Sequence, residues 1–231
     1  MARTPERTFA ILPVKRFGDA KFRLGEELSG GTRRALTEAM VTDVLMALRR
    51  TQAVHEVLLV TSEPAAEAIG RGYGASVLHD DAEAGQSAAA QIGIAHALEA
   101  GATRVLLVPG DCPALDPAEL EALLDRALTG RAVTIVADRH GLGTNALVLT
   151  PPEVIAPAFG PGSRERHEQA AAAAGVSCSV EDVPTLALDV DTADDLAALR
   201  HVLAGRRGGA AHTRGMLSRL AGWGRSPAAD T

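Results

Sequence analysis

The sequence predicts an α/β fold, a three-layer open mixed sheet with helices on both faces, and three observations predict it. Short apolar runs fit for buried strands alternate with segments of helical periodicity along most of the chain. The β–α connections are too irregular for a barrel of eight equal units. Carboxylates and basic residues gather where the apolar runs end, the rim at which an open sheet keeps its ligand crevice.

The elements follow in order. Phe9–Val14 reads as the first strand, and Lys15–Leu24 as a basic loop after it. A long helix spans about Thr32–Arg50, with Leu36, Met40, Val44 and Leu48 four apart and Val41 and Leu45 widening the stripe. Glu56–Thr61 is the second strand, Pro64–Gly70 a short helix and Ala75–Leu78 the third strand. Ser87–Ala100 is an alanine-rich helix stopped by Gly101. Val105–Val108 is a buried strand ended by Pro109-Gly110, and a helix from Pro117 to Leu128 opens on Asp116 as its cap. Val133–Ala137 and Asn145–Leu149 are strands, Ser163–Ala174 a helix and Val176–Val180 an edge strand. Leu186–Asp191 reads as a last short strand before a helix from Ala193 to Leu203, with Thr192 and Asp195 forming a capping box. The expected domain is 1–203, followed by a Gly/Arg-rich mobile tail over 204–231.

With 231 residues and 46% hydrophobic content, the chain can bury a sizeable core, but aromatics are only 3%, so Ala, Val, Leu and Ile must build it. The net charge of −6 argues against a nucleic-acid surface. Two cysteines without metal-ligand spacing, no visible signal peptide and no apolar run near the roughly 18 residues of a membrane span make a reduced, cytoplasmic setting the default. Cys112 and Cys178 are expected to pack as small hydrophobes, and His79, His140 and His167 to be surface or structural.

Four clusters can carry chemistry. Lys15, Arg16, Lys21 and Arg23 follow the first strand, where an acidic protein would place a phosphate-binding loop, although charge runs in general are solvated faces. Asp111 sits at the end of the Val105 strand, placed to hold a divalent cation, although an isolated Gly-Asp is more often a turn whose aspartate bonds its own backbone. Asp189 and Asp191 alternate along a strand, which sets both carboxylates on one side about 7 Å apart. Like charges so close need a cation, and magnesium is the ordinary answer; capping of the next helix, which Asp194 and Asp195 already serve, is the weaker alternative. The fourth cluster joins Gly143-Thr144 with Phe159-Gly-Pro-Gly-Ser163-Arg-Glu-Arg166, the latter a glycine turn running into a helix with two arginines nearby, either a simple turn and cap or an anion site.

Together, Pro-Val-Lys-Arg near the start, Pro-Gly-Asp-Cys-Pro, Gly-Thr-Asn-Ala, Phe-Gly-Pro-Gly-Ser and Leu-Asp-Val-Asp-Thr resemble the phosphoenolpyruvate or 2-phospho-L-lactate guanylyltransferases of coenzyme F420 biosynthesis, over roughly Phe9–Leu203. The resemblance implies a Rossmann-like nucleotidyltransferase core of the glycosyltransferase-A type. It implies transfer of GMP from GTP to a three-carbon phosphate, with release of pyrophosphate. By resemblance Asp111, Asp189 and Asp191 are the Mg2+ ligands, and Asp111 and Lys21 act in catalysis. Thr144, Gly160 and Ser163 match the acceptor positions, and Lys15, Lys21 and Arg23 match the nucleotide-phosphate loop. One departure stands out: the family usually carries Leu-Asn at the start of the helix after the third strand, and Ser87 stands here in place of that asparagine, near the expected nucleotide.

The partners so implied are GTP and phosphoenolpyruvate or 2-phospho-L-lactate, with no nucleic acid and no membrane; a homodimer is compatible. Two alternatives stay open, a related nucleotidyltransferase with another acceptor and a catalytically idle nucleotide-binding regulator. The first usually opens on a Gly-Gly…Arg…Gly…Lys loop, which Pro13–Gly18 is not. The retained aspartates weigh against the second.

Overall fold

The computed structural model describes residues 6–19, 24, 28–127 and 130–223. Its centre is a seven-stranded sheet formed by β1 (Thr8–Val14), β2 (Val54–Thr61), β3 (Ser76–His79), β4 (Arg104–Leu107), β5 (Ala132–Ala137), β6 (Thr144–Thr150) and β7 (Ser177–Glu181). The spatial order is β3-β2-β1-β4-β6-β5-β7. The antiparallel β6 lies between β4 and β5, while the other strands run parallel. The chain winds outward from β1 to β3 and then returns to place β4 on the other side of β1. That reversal opens a crevice above the C-terminal ends of β1 and β4.

Strict alternation in β1 shows why the sheet is covered twice. Ala10, Leu12 and Val14 enter one apolar cluster with Val41, Val44 and Leu48 of helix α1 (Gly30–Arg50). Phe9 and Ile11 enter the opposite cluster with Ala90, Ile94 and Ala97 of helix α3 (Gln86–Glu99). With few aromatics available, α3 packs by close approach. A Cβ on Gly93 would lie 2.4 Å from Ile11 Cγ2, so only glycine lets the helix sit this near β1. Helices α2 (Pro64–Gly72) and α4 (Pro117–Arg126) join α1 on its face, and α5 (Ser163–Ala173) joins α3. Helix α6 (Ala193–Gly205) opens on the expected capping box, in which Thr192 Oγ1 accepts from Asp195 N–H and Asp195 Oδ2 accepts from Thr192 N–H.

Three expectations are corrected. Leu186–Asp191 is not a strand. Both edges of β4 are already paired, with β1 and β6, and this segment crosses the strand ends instead, where Val190 N–H donates to the Asp111 carbonyl at 3.1 Å. Cys178 lies exposed on the edge strand β7, whereas Cys112 is buried as expected. The ordered domain does not stop at 203. Helix α7 (Ala211–Trp223) returns to α1 and seals a third apolar cluster, where Leu217 and Ala210 meet Leu36, Met40, Val190 and Leu199. The buried Asp43 of α1 accepts from His212 N–H and Thr213 N–H, at 3.1 and 2.7 Å, satisfying two amides of the first turn of α7 and countering its dipole. Residues 224–231 of the expected tail lie outside the described residues. No helix among the described residues is long and apolar enough to cross a membrane.

Asp43→Ala is expected to cost about 1–2 kcal/mol, the range for losing a helix cap. Amide exchange should rise chiefly in residues 211–217, and protection there equal to that of the parent protein would refute the role given to Asp43.

Candidate active site

The crevice above β1 and β4 holds about 450 Å³ and is lined by Lys15, Arg16, Asp80, Gln86, Asp111 and Asp191 among others. Its basic side begins where β1 ends. Lys15 is exposed there, and Arg16 reaches across to Glu83 at 2.7 Å. The next residue, Phe17, is buried and its N–H donates to Glu63 Oε2 at 3.0 Å. Glu63 also pairs with Arg34 at 2.8 Å and caps α2 through Ala65 N–H. Burial pushes the Glu63 carboxyl up, but the two N–H groups and the Arg34 guanidinium outweigh it and hold the group below its usual range. The start of the basic loop is therefore anchored by a charged, buried peg. Lys21 and Arg23 of the same loop lie outside the described residues.

The acidic side is built from two distant segments. Asp111 follows β4, and Asp189 and Asp191 lie on the crossing segment tied to it by the Val190–Asp111 backbone bond. One carboxylate oxygen from each lies within 4.8 Å of the others, and all three side chains are half-buried. Asp189 is also held by Asn145, whose Nδ2 donates to Asp189 Oδ1 at 3.1 Å and to the Leu186 carbonyl at 2.8 Å. Burial, and then the neighbouring Asp111, raise the Asp189 carboxyl above its ordinary value. Three hard oxygen donors, mutually repelling and partly withdrawn from water, are compatible with a divalent cation. Asn145 is the site residue that spacing does not single out. Alternation misses it, because Leu147 and Leu149 share a face and period two would put Asn145 with them; a register shift where β5 pairs with the start of β6 turns Asn145 to the Leu186 side instead.

On the opposite face the expected acceptor residues assemble. Thr144 and Ser163 are both buried, and Ser163 opens α5 directly after Gly162, whose φ of 70° fits the left-handed turn into the helix. Ser163 N–H donates back to the Gly160 carbonyl at 3.0 Å. Arg166 folds over the turn and donates to the carbonyls of Ala158, Gly160 and Pro161. Ser87, expected near the nucleotide, accepts from Phe159 N–H at 2.9 Å and so braces this same turn. His167 is fully buried behind it, at 3.0 Å from Thr144 Oγ1 and 2.8 Å from Ala158 N.

The raised Asp189 pKa has a definite sign. In the folded chain the group holds its proton more tightly than in the unfolded chain. As pH rises from the ordinary carboxylate range to the raised folded value, the unfolded chain ionises first and stability falls. Asp189→Asn, which keeps an acceptor for Asn145, is therefore expected to raise the melting temperature of metal-free protein at neutral pH. The same change should remove the gain in melting temperature on adding a divalent cation. A variant less stable than its parent under metal-free conditions would contradict the repulsion inferred here.

A family model described as "Guanylyl transferase CofC like" matches residues 8–220. A phosphoenolpyruvate guanylyltransferase of Conexibacter woesei is 58% identical over 214 residues, covering 92% of this chain and 96% of its own. A phosphoenolpyruvate guanylyltransferase of Rubrobacter xylanophilus is 41% identical over 191 residues, covering 83% and 92%. Among solved structures, a nucleotidyl transferase from Methanothermobacter thermautotrophicus superposes with a TM-score of 0.63 at 22% identity, covering 87% of this chain and all of that one, which speaks for the fold. With matches reaching across nearly the whole described chain, this protein belongs to the CofC-like guanylyl transferase family.

Proposed function

We propose that the protein transfers the GMP moiety of GTP to the phosphate of phosphoenolpyruvate and releases pyrophosphate, a step of coenzyme F420 biosynthesis as the family resemblance implies. The observation that carries this reading is the meeting of Asp111, Asp189 and Asp191 beside a crevice that Lys15 and Arg16 also line. In the reaction a phosphate oxygen of the acceptor bonds to the α-phosphorus of GTP. The α–β anhydride bond breaks, and its electron pair leaves with pyrophosphate. The acceptor phosphate, with its second pKa near 6, is ionised at neutral pH and needs no general base. This suits a site whose buried histidine has both nitrogens occupied.

Mg2+ held by the three aspartates would supply neutralisation of the phosphate charge. The chain's own part is to position two polyanions that repel each other. Lys15, Lys21 and Arg23 are assigned to the triphosphate, and Lys21 with Asp111 to the reacting phosphoryl group. Thr144, Gly160 and Ser163 are assigned to the acceptor. The placement of Ser87 against Phe159 favours a brace for the acceptor turn over direct contact with the base.

Pyrophosphate release from GTP, Mg2+ and phosphoenolpyruvate tests the reading, with 2-phospho-L-lactate as the competing acceptor. Asp111→Asn is expected to lower kcat about 100-fold or more with the fold retained, since it removes preorganised charge from the reacting centre. Near-normal release by this variant would remove Asp111 from catalysis. Ser163→Ala should raise the acceptor KM about tenfold, as for one lost hydrogen bond, and leave the GTP KM unchanged. An unaltered acceptor KM would take Ser163 out of the acceptor site.

A further inference from the structure

We propose that His167 is a positioning residue for the acceptor, its Nδ1–H fixing the Thr144 hydroxyl as a hydrogen-bond donor toward the bound three-carbon phosphate. The proposal rests on the assignment of Thr144, Gly160 and Ser163 to that acceptor.

The argument starts from the backbone. Ala158 N–H donates to His167 Nε2 at 2.8 Å, and an amide N–H can only donate. Nε2 must therefore carry a lone pair. The ring is then neutral and its single proton sits on Nδ1. Burial, and then the nearby Arg166 charge, hold the imidazole pKa down at about 4, so this form persists across the neutral range. Nδ1–H lies 3.0 Å from Thr144 Oγ1, which must accept that bond. The one proton of the Thr144 hydroxyl is thereby denied the ring and directed away from it. An isolated threonine would choose freely between donating and accepting; here the choice is already made, and it is the choice an anion requires.

The same ring pins the other side of the acceptor turn. Ala158, held by Nε2, immediately precedes Phe159 and Gly160, and Phe159 N–H is fixed by Ser87. The Phe159 ring stands edge-on to the imidazole at 5.4 Å, which blocks rotation of His167 into the alternative arrangement. One buried side chain so couples the strand that bears Thr144 to the loop that bears Gly160 and Ser163. The nearly dry surroundings make the coupling stiff, because no water competes for either nitrogen.

Two isosteric replacements separate this role from simple packing. In asparagine, Nδ2 matches His Nδ1 and keeps a donor to Thr144. In glutamine, Oε1 matches Nε2 and keeps the acceptor for Ala158 N–H, but no donor remains at the δ position. With GTP, Mg2+ and phosphoenolpyruvate, His167→Gln is expected to raise the acceptor KM about tenfold, the loss of roughly one oriented hydrogen bond. The GTP KM should stay unchanged, and His167→Asn should recover much of the acceptor KM. An acceptor KM equal to the parent's in His167→Gln, or equal rises in both substrates' KM in both variants, overturns the proposal. Should the variants fail to fold, long-range proton–nitrogen spectra of the parent protein decide, since a ring protonated on Nε2 also overturns it and a ring protonated on Nδ1 supports it. A parent protein that binds GTP but releases no pyrophosphate with phosphoenolpyruvate or 2-phospho-L-lactate defeats the functional reading itself. An active parent with an indifferent His167→Gln variant defeats the positioning role alone.

Discussion

Electrostatic repulsion among three carboxylates is the constraint around which the rest is arranged. Asp111, Asp189 and Asp191 would separate if free to do so, and two neutral ties help to hold them together. The Val190 N–H to Asp111 carbonyl bond joins the two segments through their backbones, and Asn145 holds Asp189 from beneath by an amide. Arginines are spent elsewhere, on Glu63, Glu83 and Asp195. Burial first, and then the neighbouring Asp111, raise the Asp189 carboxyl above its ordinary value.

The two faces of the sheet divide the labour. On the α1 side, Asn145 supports the acidic cluster; on the α5 side, His167 ties Thr144 to the loop that leads into the glycine-serine turn. These roles fall to consecutive residues because β6 begins at the rim and its pairing with β5 shifts register at Asn145, which reverses the faces that regular pleating would give. The antiparallel insertion of β6 matters here, since its first residues, rather than its last, reach the catalytic edge. The β1 loop supplies the third wall, anchored by Phe17 and Glu63.

Much of this was legible in the chain. The strand and helix alternation, the capping box at Thr192 and the rim positions of Asp111 and Thr144 follow from local rules of periodicity and capping, and those rules act over a few residues. What the chain concealed depends on distant partners. Leu186–Asp191 has the composition of a strand, but whether it becomes one depends on whether β4 has a vacant edge, and it has none. The stretch after 204 is rich in Gly and Arg, and that composition masks Thr213, Leu217 and Leu220, which recur at helical spacing and find their partner on α1. His167 looked idle because its two partners are a threonine 23 residues upstream and a backbone amide, neither of which forms a motif. Asn145 was visible within Gly-Thr-Asn-Ala, yet only the crossing segment gives it an acceptor.

The docking of α7 on α1 also orders events during synthesis. Leu36 and Met40 emerge early, but the cluster that buries them waits for Leu217, near the other end of the chain. A ribosome-bound chain that has exposed everything up to α6 still carries an open oily seam beside Val190, the residue between two metal-binding candidates. The apolar cluster that backs Val190 is thus complete only with α7 in place.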